Sequence, residues 1–410
     1  MRRTGSKVGH YPQDDLIATV GAYDRFNYGD LLFPLVLDSA ASKLGLAPLA
    51  HFSVRAADMS SAAGFSCGSI GSQEFASMRG IVIGGGEVLG ARWGEALISQ
   101  MKSPWDLGAL AINKVAGRAL DGFAMRRAGG RTRSPFIPQI GGQQRLSTNA
   151  IGASSLDRLP AEYRQSVVST LQRASYVSVR DEVGLERLRE VGIGATLAPD
   201  SVAVLAELRP PRREQGESMV VQCSRSWLRR DGRSLVAFVR EAARQFERVE
   251  LLPIGLAGGH GDVEAMRAVE RRVGLDTVSV TPVSSIWDIA DTISSSQVFV
   301  GTSLHGHISA MAYGVPSIAL AGISKLEPTS TPGSGRCADL RGRTSGKRAR
   351  ACSDEGAIHP AGERTAPRFA CRPQHGEHPV VCSDLPSRLI EDAKTSADEV
   401  RTLRPFVDRD

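Results

Sequence analysis

The 410-residue chain is 41% hydrophobic and 23% charged, the balance of an ordinary globular protein with room for two domains. Its net charge of +6 sits at the edges: residues 1–8 carry +3, and residues 327–382, with nine Lys/Arg against six Asp/Glu, carry another +3. The remainder sums to zero and aromatics are only 5%, so no stacking platform for bases is expected and nucleic acid is set aside as a partner.

No apolar run follows Arg2, Arg3 and Lys7, so no secretory signal is expected, and the six cysteines are expected as reduced thiols in the cytoplasm. Four segments then repeat one pattern, an apolar strand, a glycine-rich or polar turn, and a helix. In "LIATVGAYDRFNYGDLLFPLVLDSAASKLG" the strand runs to Val20, the loop to Gly29, and Gly45 stops the helix. "GIVIGGGEVLGARWGEALISQM" predicts a strand to Ile83, three glycines and a helix. "YVSVRDEVGLERLREVG" predicts a strand to Val179, then a helix with Val183, Leu185 and Leu188 on a core face and Gly192 as its stop.

The polar, proline-bearing "RPPRREQGES" (209–218) reads as a linker, after which the alternation resumes. "MVVQCS" and "VELLPIG" are strands, while "LVAFVREAARQF" and "DVEAMRAVERRVG" are helical. From Thr292 to Ser324 there is no Asp, Glu, Lys or Arg, but Gly301, Gly306 and Gly314 divide the stretch, with "SQVFV" leading into "GTSLHGHISAMAYGVPSIAL". A buried strand–helix–strand is therefore expected rather than a transmembrane helix. Residues 327–382 break the pattern, being rich in Arg, Pro, Gly and Ser and poor in paired apolar residues. No two of their cysteines (337, 352, 371, 382) have structural-zinc spacing, so an irregular or disordered segment and no metal are expected. A helical pattern returns from Leu385 to about Leu403.

Alternating strands and helices imply α/β architecture: two doubly wound, Rossmann-like domains facing a cleft. The expected divisions are 1–208, 209–326, an irregular 327–382 and a C-terminal helix in 383–410. Ligands of such sheets bind beyond the carboxyl ends of the strands, where all the turns above fall.

Those turns hold the candidate chemistry. Gly84, Gly85 and Gly86 allow backbone N–H groups to approach an anion, although a tight turn alone also explains them. Asn27 and Asp30 stand at a helix start, where capping competes with a catalytic role for the aspartate. Arg180 ends a buried strand and suits bidentate recognition of a carboxylate or phosphate, or a lock with Asp181. His305 falls in the first turn of a helix and can exchange a proton near neutrality. His307, two positions on, faces elsewhere, which argues against one metal held by both.

In order and spacing, "NYGD" (27–30), "GGGEVLG" (84–90), "SVRDEVGLERLREVG" (178–192), "APDS" (198–201) and "VGTSLHGHISAMAYGVPSIAL" (300–320) resemble the polysaccharide pyruvyl transferase family. The resemblance spans roughly residues 16–326. It implies a fold similar to two-domain GT-B glycosyltransferases and transfer from phosphoenolpyruvate to a sugar, usually ending as a cyclic pyruvate ketal on a surface polysaccharide. The family's Arg-Leu-His-Gly motif is implicated in holding phosphoenolpyruvate; here Ser303 replaces the arginine, while Leu304, His305 and Gly306 match. Arg180 matches the family's other phosphoenolpyruvate-binding arginine. The resemblance implies His305 as the acid that protonates the donor, Arg180 and the backbone of 303–306 as its anion site, and Asp30 and Glu87 as candidate bases. The partners implied are phosphoenolpyruvate and a glycan or lipid-linked oligosaccharide, with room for peripheral membrane association and no cofactor. A GT-B-like nucleotide-sugar glycosyltransferase and an inactive family member are the rival expectations.

Overall fold

The computed structural model describes residues 16–101, 105–130, 132–142, 144–211, 216–257, 260–320 and 337–338. The first sheet is built from β1 (Ile17–Val20), β2 (Ala50–Ser53), β3 (Ala57–Met59), β4 (Phe65–Ser69), β5 (Gly80–Ile83) and β6 (Arg145–Thr148), in the order β3-β4-β2-β1-β5-β6. All pairings are parallel except β3 with β4. Parallel strands are covered on both faces, which is why β1 and β5 read as unbroken apolar runs. Ala18 registers between Ala50 and Ile81, and Ala18, Val20, Ile81 and Ile83 are essentially inaccessible to solvent.

Helices α1 (Tyr28–Lys43), α2 (Ser60–Ala63), α3 (Gln73–Ala76), α4 (Trp93–Ile98), α5 (Trp105–Arg127), α6 (Ala161–Leu171), α7 (Glu182–Glu190) and α8 (Leu205–Leu208) accompany this sheet and a small parallel pair, β7 (Ser178–Val179) with β8 (Thr196–Leu197). The helix expected directly after the β5 glycines begins only at Trp93, because the chain first turns through Gly85 (φ 135°) and Gly86 (φ 81°). Val183, expected on the core face of α7, is 41% exposed, whereas Leu188 is buried.

The second sheet comprises β9 (Ser218–Val221), β10 (Arg248–Leu251), β11 (Val278–Val280), β12 (Val298–Gly301), β13 (Ser317–Leu320) and β14 (Cys337–Ala338), ordered β11-β10-β9-β12-β13-β14. Every pairing is parallel. It is wrapped by α9 (Arg225–Gln245), α10 (Asp262–Val273), α11 (Ile286–Ser294) and α12 (Leu304–Ala312). Helix α9 starts ten residues before its apolar repeat: Ser224 caps it by accepting the Trp227 N–H, and the backbone leaves helical geometry at Asp231 (φ −126°, ψ 16°). The charge-free stretch resolves into the end of α11, then β12, α12 and β13, and no helix among the described residues is long and apolar enough to cross a membrane. Within 327–382 only Cys337–Ala338 are described, as a two-residue strand where irregular chain was expected. The rest of that segment, with its other cysteines, and the helix expected in 383–410 lie outside the described residues.

The molecule is thus two Rossmann-like sheets in the GT-B arrangement, each with a topological switch point: between β1 and β5 in the first, between β9 and β12 in the second. An apolar cluster ties the halves together. Tyr28, Leu31, Leu32 and Phe33 of α1 belong to the same buried cluster as Ile286, Ile289 and Ile293 of α11 and Ile308 of α12. Tyr28 Oη lies 2.8 Å from Ser309 Oγ within it, and the Asn27 backbone bridges Gly255. Arg209, at the start of the linker, is fixed to α11 by Asp291 (2.7 Å) and lies over the Trp287 ring.

Candidate active site

The turn between β12 and α12 is held from below. Thr302 donates its N–H to Gln222 Oε1 (2.9 Å), anchoring the turn to the loop after β9. Ser303 is the N-cap of α12, its Oγ accepting the Gly306 N–H at 3.2 Å. A Cβ at Gly306 would come within 2.5 Å of the Phe299 ring, so this glycine clears the way for that ring. Leu304 packs against the apolar cluster between the halves. His307 turns inward, donating Nε2–H to the Gly301 carbonyl (3.0 Å). Burial outweighs that hydrogen bond and holds its pKa down at about 4, so the ring is neutral at physiological pH.

His305 turns the other way. Its ring lies on the backbone of Gly29, where a Cβ would stand 1.9 Å from Nδ1, and meets Phe33 edge-on with centroids 5.5 Å apart. Its Nε2 is buried with no hydrogen-bond partner among the described residues. The nearest carboxylate oxygen, Asp200 Oδ2, is 3.7 Å away, an electrostatic pairing too long for a formed hydrogen bond.

Asp200 joins the cluster from the connection after β8. Oδ1 caps the 3-10 turn Ser201–Val204 through the Val202 N–H (3.0 Å), and Oδ2 faces Arg180 Nη1 at 3.1 Å. Burial alone would push this carboxyl up, but the His305 ring, the Arg180 guanidinium and the Val202 N–H outweigh it and hold the pKa at about 2. The carboxylate is therefore charged throughout the physiological range.

Arg180, nine-tenths buried just beyond β7, sits among three carboxylates: Asp200, Glu87 (3.5 Å) and Asp181 (4.0 Å). Glu87 in turn accepts hydrogen bonds on Oε1 from Ser155 Oγ (2.7 Å), Ser155 N–H (3.2 Å) and Ser154 Oγ (3.4 Å), while Oε2 faces Arg180. Both of its oxygens are engaged. Asp30, in the first turn of α1, accepts from Asn27 Nδ2 at 2.6 Å. Burial raises its carboxyl pKa, an effect that His305, Arg25 and Arg180 offset only in part. Its Oδ1 lies beside Gly86, within 3.0 Å of where a Cβ would be. Gly84 and Gly85 are approached by Tyr23 Oη and the Phe33 ring in the same way.

His305, Arg180, Glu87 and Asp30 thus share one polar cluster where the two halves meet, while Ser303, Leu304, Gly306, Asn27 and the β5 glycines shape it. Asp200 was not singled out as a site residue from sequence; an aspartate before a short apolar turn looks like any cap. Chemically, the cluster offers an imidazole with an unpartnered nitrogen, an arginine, and a carboxyl whose proton affinity burial has increased.

The family model for polysaccharide pyruvyl transferase matches residues 69–323. No curated protein matches the chain. Solved structures that it resembles include a UDP-GlcNAc 2-epimerase from Methanocaldococcus jannaschii (11% identity, 79% of this chain and 88% of that one, TM-score 0.46) and a UDP-bound MnaA from S. aureus (11%, 80% and 85%, TM-score 0.49). Another is the E. coli heptosyltransferase WaaC with a heptose donor analogue (13%, 75% and 88%, TM-score 0.35). The family match takes in both switch-point turns, Arg180, Asp200 and His305, and on it the chain belongs to the polysaccharide pyruvyl transferase family, a family of transferases.

Proposed function

We propose that the protein transfers pyruvate from phosphoenolpyruvate to a pair of hydroxyls on a sugar, as a ketal, in the synthesis of an exopolysaccharide or surface glycan. The observation that carries this reading is His305 Nε2, buried, unpartnered and pressed toward a charged carboxylate.

The donor's double bond makes its methylene carbon the site of protonation, and that proton makes C2 electrophilic. His305 in its protonated form supplies it, with Asp200 stabilising the imidazolium. One sugar hydroxyl attacks C2 and gives its proton to Asp30, whose raised pKa suits a base. The second hydroxyl then attacks C2, phosphate leaves, and its proton restores the cluster. Phosphoenolpyruvate and the sugar diol become the ketal and inorganic phosphate, with no change in oxidation state.

Arg180 meets the donor's anionic groups, exchanging part of its pairing with Asp200 and Glu87 for the ligand. Glu87 serves to hold Arg180 and the 154–155 loop. The N–H groups of Leu304 and His305, in the first turn of α12, lack intrahelical acceptors and add to the anion site; that of Gly306 is already taken by Ser303. The test is to incubate the purified chain with phosphoenolpyruvate and candidate glycans and to follow phosphate release. Release that depends on both donor and acceptor is expected; its absence across acceptors, with phosphoenolpyruvate unbound, overturns the reading.

A further inference from the structure

Away from the cleft, the break in α9 creates a second feature. Asp231 divides the helix into two stretches, and a hollow of about 580 Å³ opens over the break. Five arginines line it, Arg225, Arg229, Arg230, Arg233 and Arg272, against one carboxylate, Asp231. They converge from two helices. Arg272 reaches across from α10, its Nη1 lying 3.5 Å from where a Cβ on the buried Gly232 would stand.

Some of this charge is compensated. Arg225 pairs with Glu264 at 3.4 Å, and Arg230 Nε lies 3.9 Å from Asp231 Oδ2. Among the described residues, no carboxylate lies within 4 Å of Arg229, Arg233 or Arg272. Helical geometry resumes after Asp231, so the first N–H groups of the second stretch lack intrahelical acceptors and add partial positive charge beneath the guanidiniums. Convergent, uncompensated cations repel one another, and an anion relieves that repulsion. Guanidinium forks match phosphate oxygens in pairs, and the hollow has the size of a small-ligand site.

We propose that this arginine-lined hollow binds a phosphate or diphosphate group, separate from the donor site in the cleft. The group belongs either to a soluble diphosphate or to an anionic lipid headgroup. The hollow lies a turn or more along α9 from Ser224, whose N–H reaches Thr302 Oγ1 (3.1 Å) at the cleft edge. A lipid-borne phosphate bound there would stand close to the cleft.

The test has two arms on the full chain, calorimetric titration with inorganic pyrophosphate and co-sedimentation with phosphatidylglycerol vesicles, phosphatidylcholine vesicles serving as the blank. Wild type should bind in at least one arm, more weakly as salt rises. The double variant Arg229→Gln/Arg233→Gln should bind at least about tenfold more weakly, as two charge-assisted hydrogen-bonding partners are lost. Arg272→Gln should weaken binding less. Arg189→Gln, which removes an exposed arginine of α7, should change nothing, and Arg180→Ala should retain binding. Circular dichroism verifies that each variant is folded. Binding in the pyrophosphate arm alone identifies a soluble ligand, and vesicle binding identifies the lipid source. The proposal is overturned if wild type binds in neither arm. It is equally overturned if binding disappears with Arg180→Ala and survives Arg229→Gln/Arg233→Gln.

Discussion

Two turns of this molecule start alike and end differently. Each follows an apolar parallel strand at a switch point, β5 or β12, and each opens on glycine. After β5, Gly85 and Gly86 take positive φ, and Tyr23, Phe33 and Asp30 occupy the space that side chains at 84–86 would need. The helix begins only at Trp93. After β12, the helix begins at once, Ser303 caps it, and its second residue is a histidine whose ring crosses to the other half of the molecule. Glycine therefore marks close approach in both places, and what approaches decides the role. At β5 it is packing and a carboxylate; at β12 it is a helix start with a titratable ring.

The sharpest way to break that contrast is to remove the ring. His305→Ala should lower turnover by about 10²–10⁴, the usual worth of a general acid, while phosphoenolpyruvate affinity measured by calorimetry stays close to wild type. His305→Asn should behave like Ala, since an amide cannot deliver the proton; wild-type turnover in that variant would reduce the β12 turn to packing. Gly29→Ala probes the same ring from the facing half. The new methyl would stand 1.9 Å from Nδ1, so the imidazole must swing away while the helix tolerates alanine. A loss of about 10² in turnover is expected for such misplacement, with the melting temperature nearly unchanged.

Arg180→Ala should act on binding more than on turnover, weakening the donor complex by about 1.5–3 kcal/mol for a lost charged hydrogen bond. Titration with phosphoenolpyruvate measures this directly. Asp200→Asn is read through pH. The carboxyl's folded pKa of about 2 lies below its ordinary 3.8, so its contribution is present above pH 4 and is lost as pH falls toward 2. Integrated, that shift is worth about 2 kcal/mol. Wild-type stability should fall across this window by more than that of Asp200→Asn, as thermal melts at stepped pH would show. Ser303→Ala should have the smallest effect, about 1 kcal/mol of stability from the lost cap, with activity close to wild type.

Most of the frame was legible. β1, β5, β9, β10 and β12 are covered on both faces, and burial of that kind leaves an unbroken apolar run that turn residues punctuate. His305 was legible for a related reason, a histidine being conspicuous where a buried strand hands over to a helix. What escaped reading had no such signature. β3 and β4 pair as short polar strands, "ADM" and "FSCGS", which carry no strong alternation. The first stretch of α9 is mostly polar, and its helical state comes from the Ser224 cap and from packing of Trp227. Asp200 was hidden because its partners, Arg180 and His305, meet it only in three dimensions, and Glu87 offered no sign that serines 154 and 155 would occupy it.

The docking of α1 against the far half has a consequence for how the protein matures. Tyr28 and Ser309, hydrogen-bonded in that interface, are 281 residues apart along the chain. The ring of His305 rests on Gly29, next to Tyr28, so the histidine is positioned only once both sheets have formed and this long-range contact has closed. Contacts of such sequence separation close late and slowly. Chemical competence should therefore appear as the last event of folding, and a chain nicked between the halves should regain activity only when the two pieces reassociate.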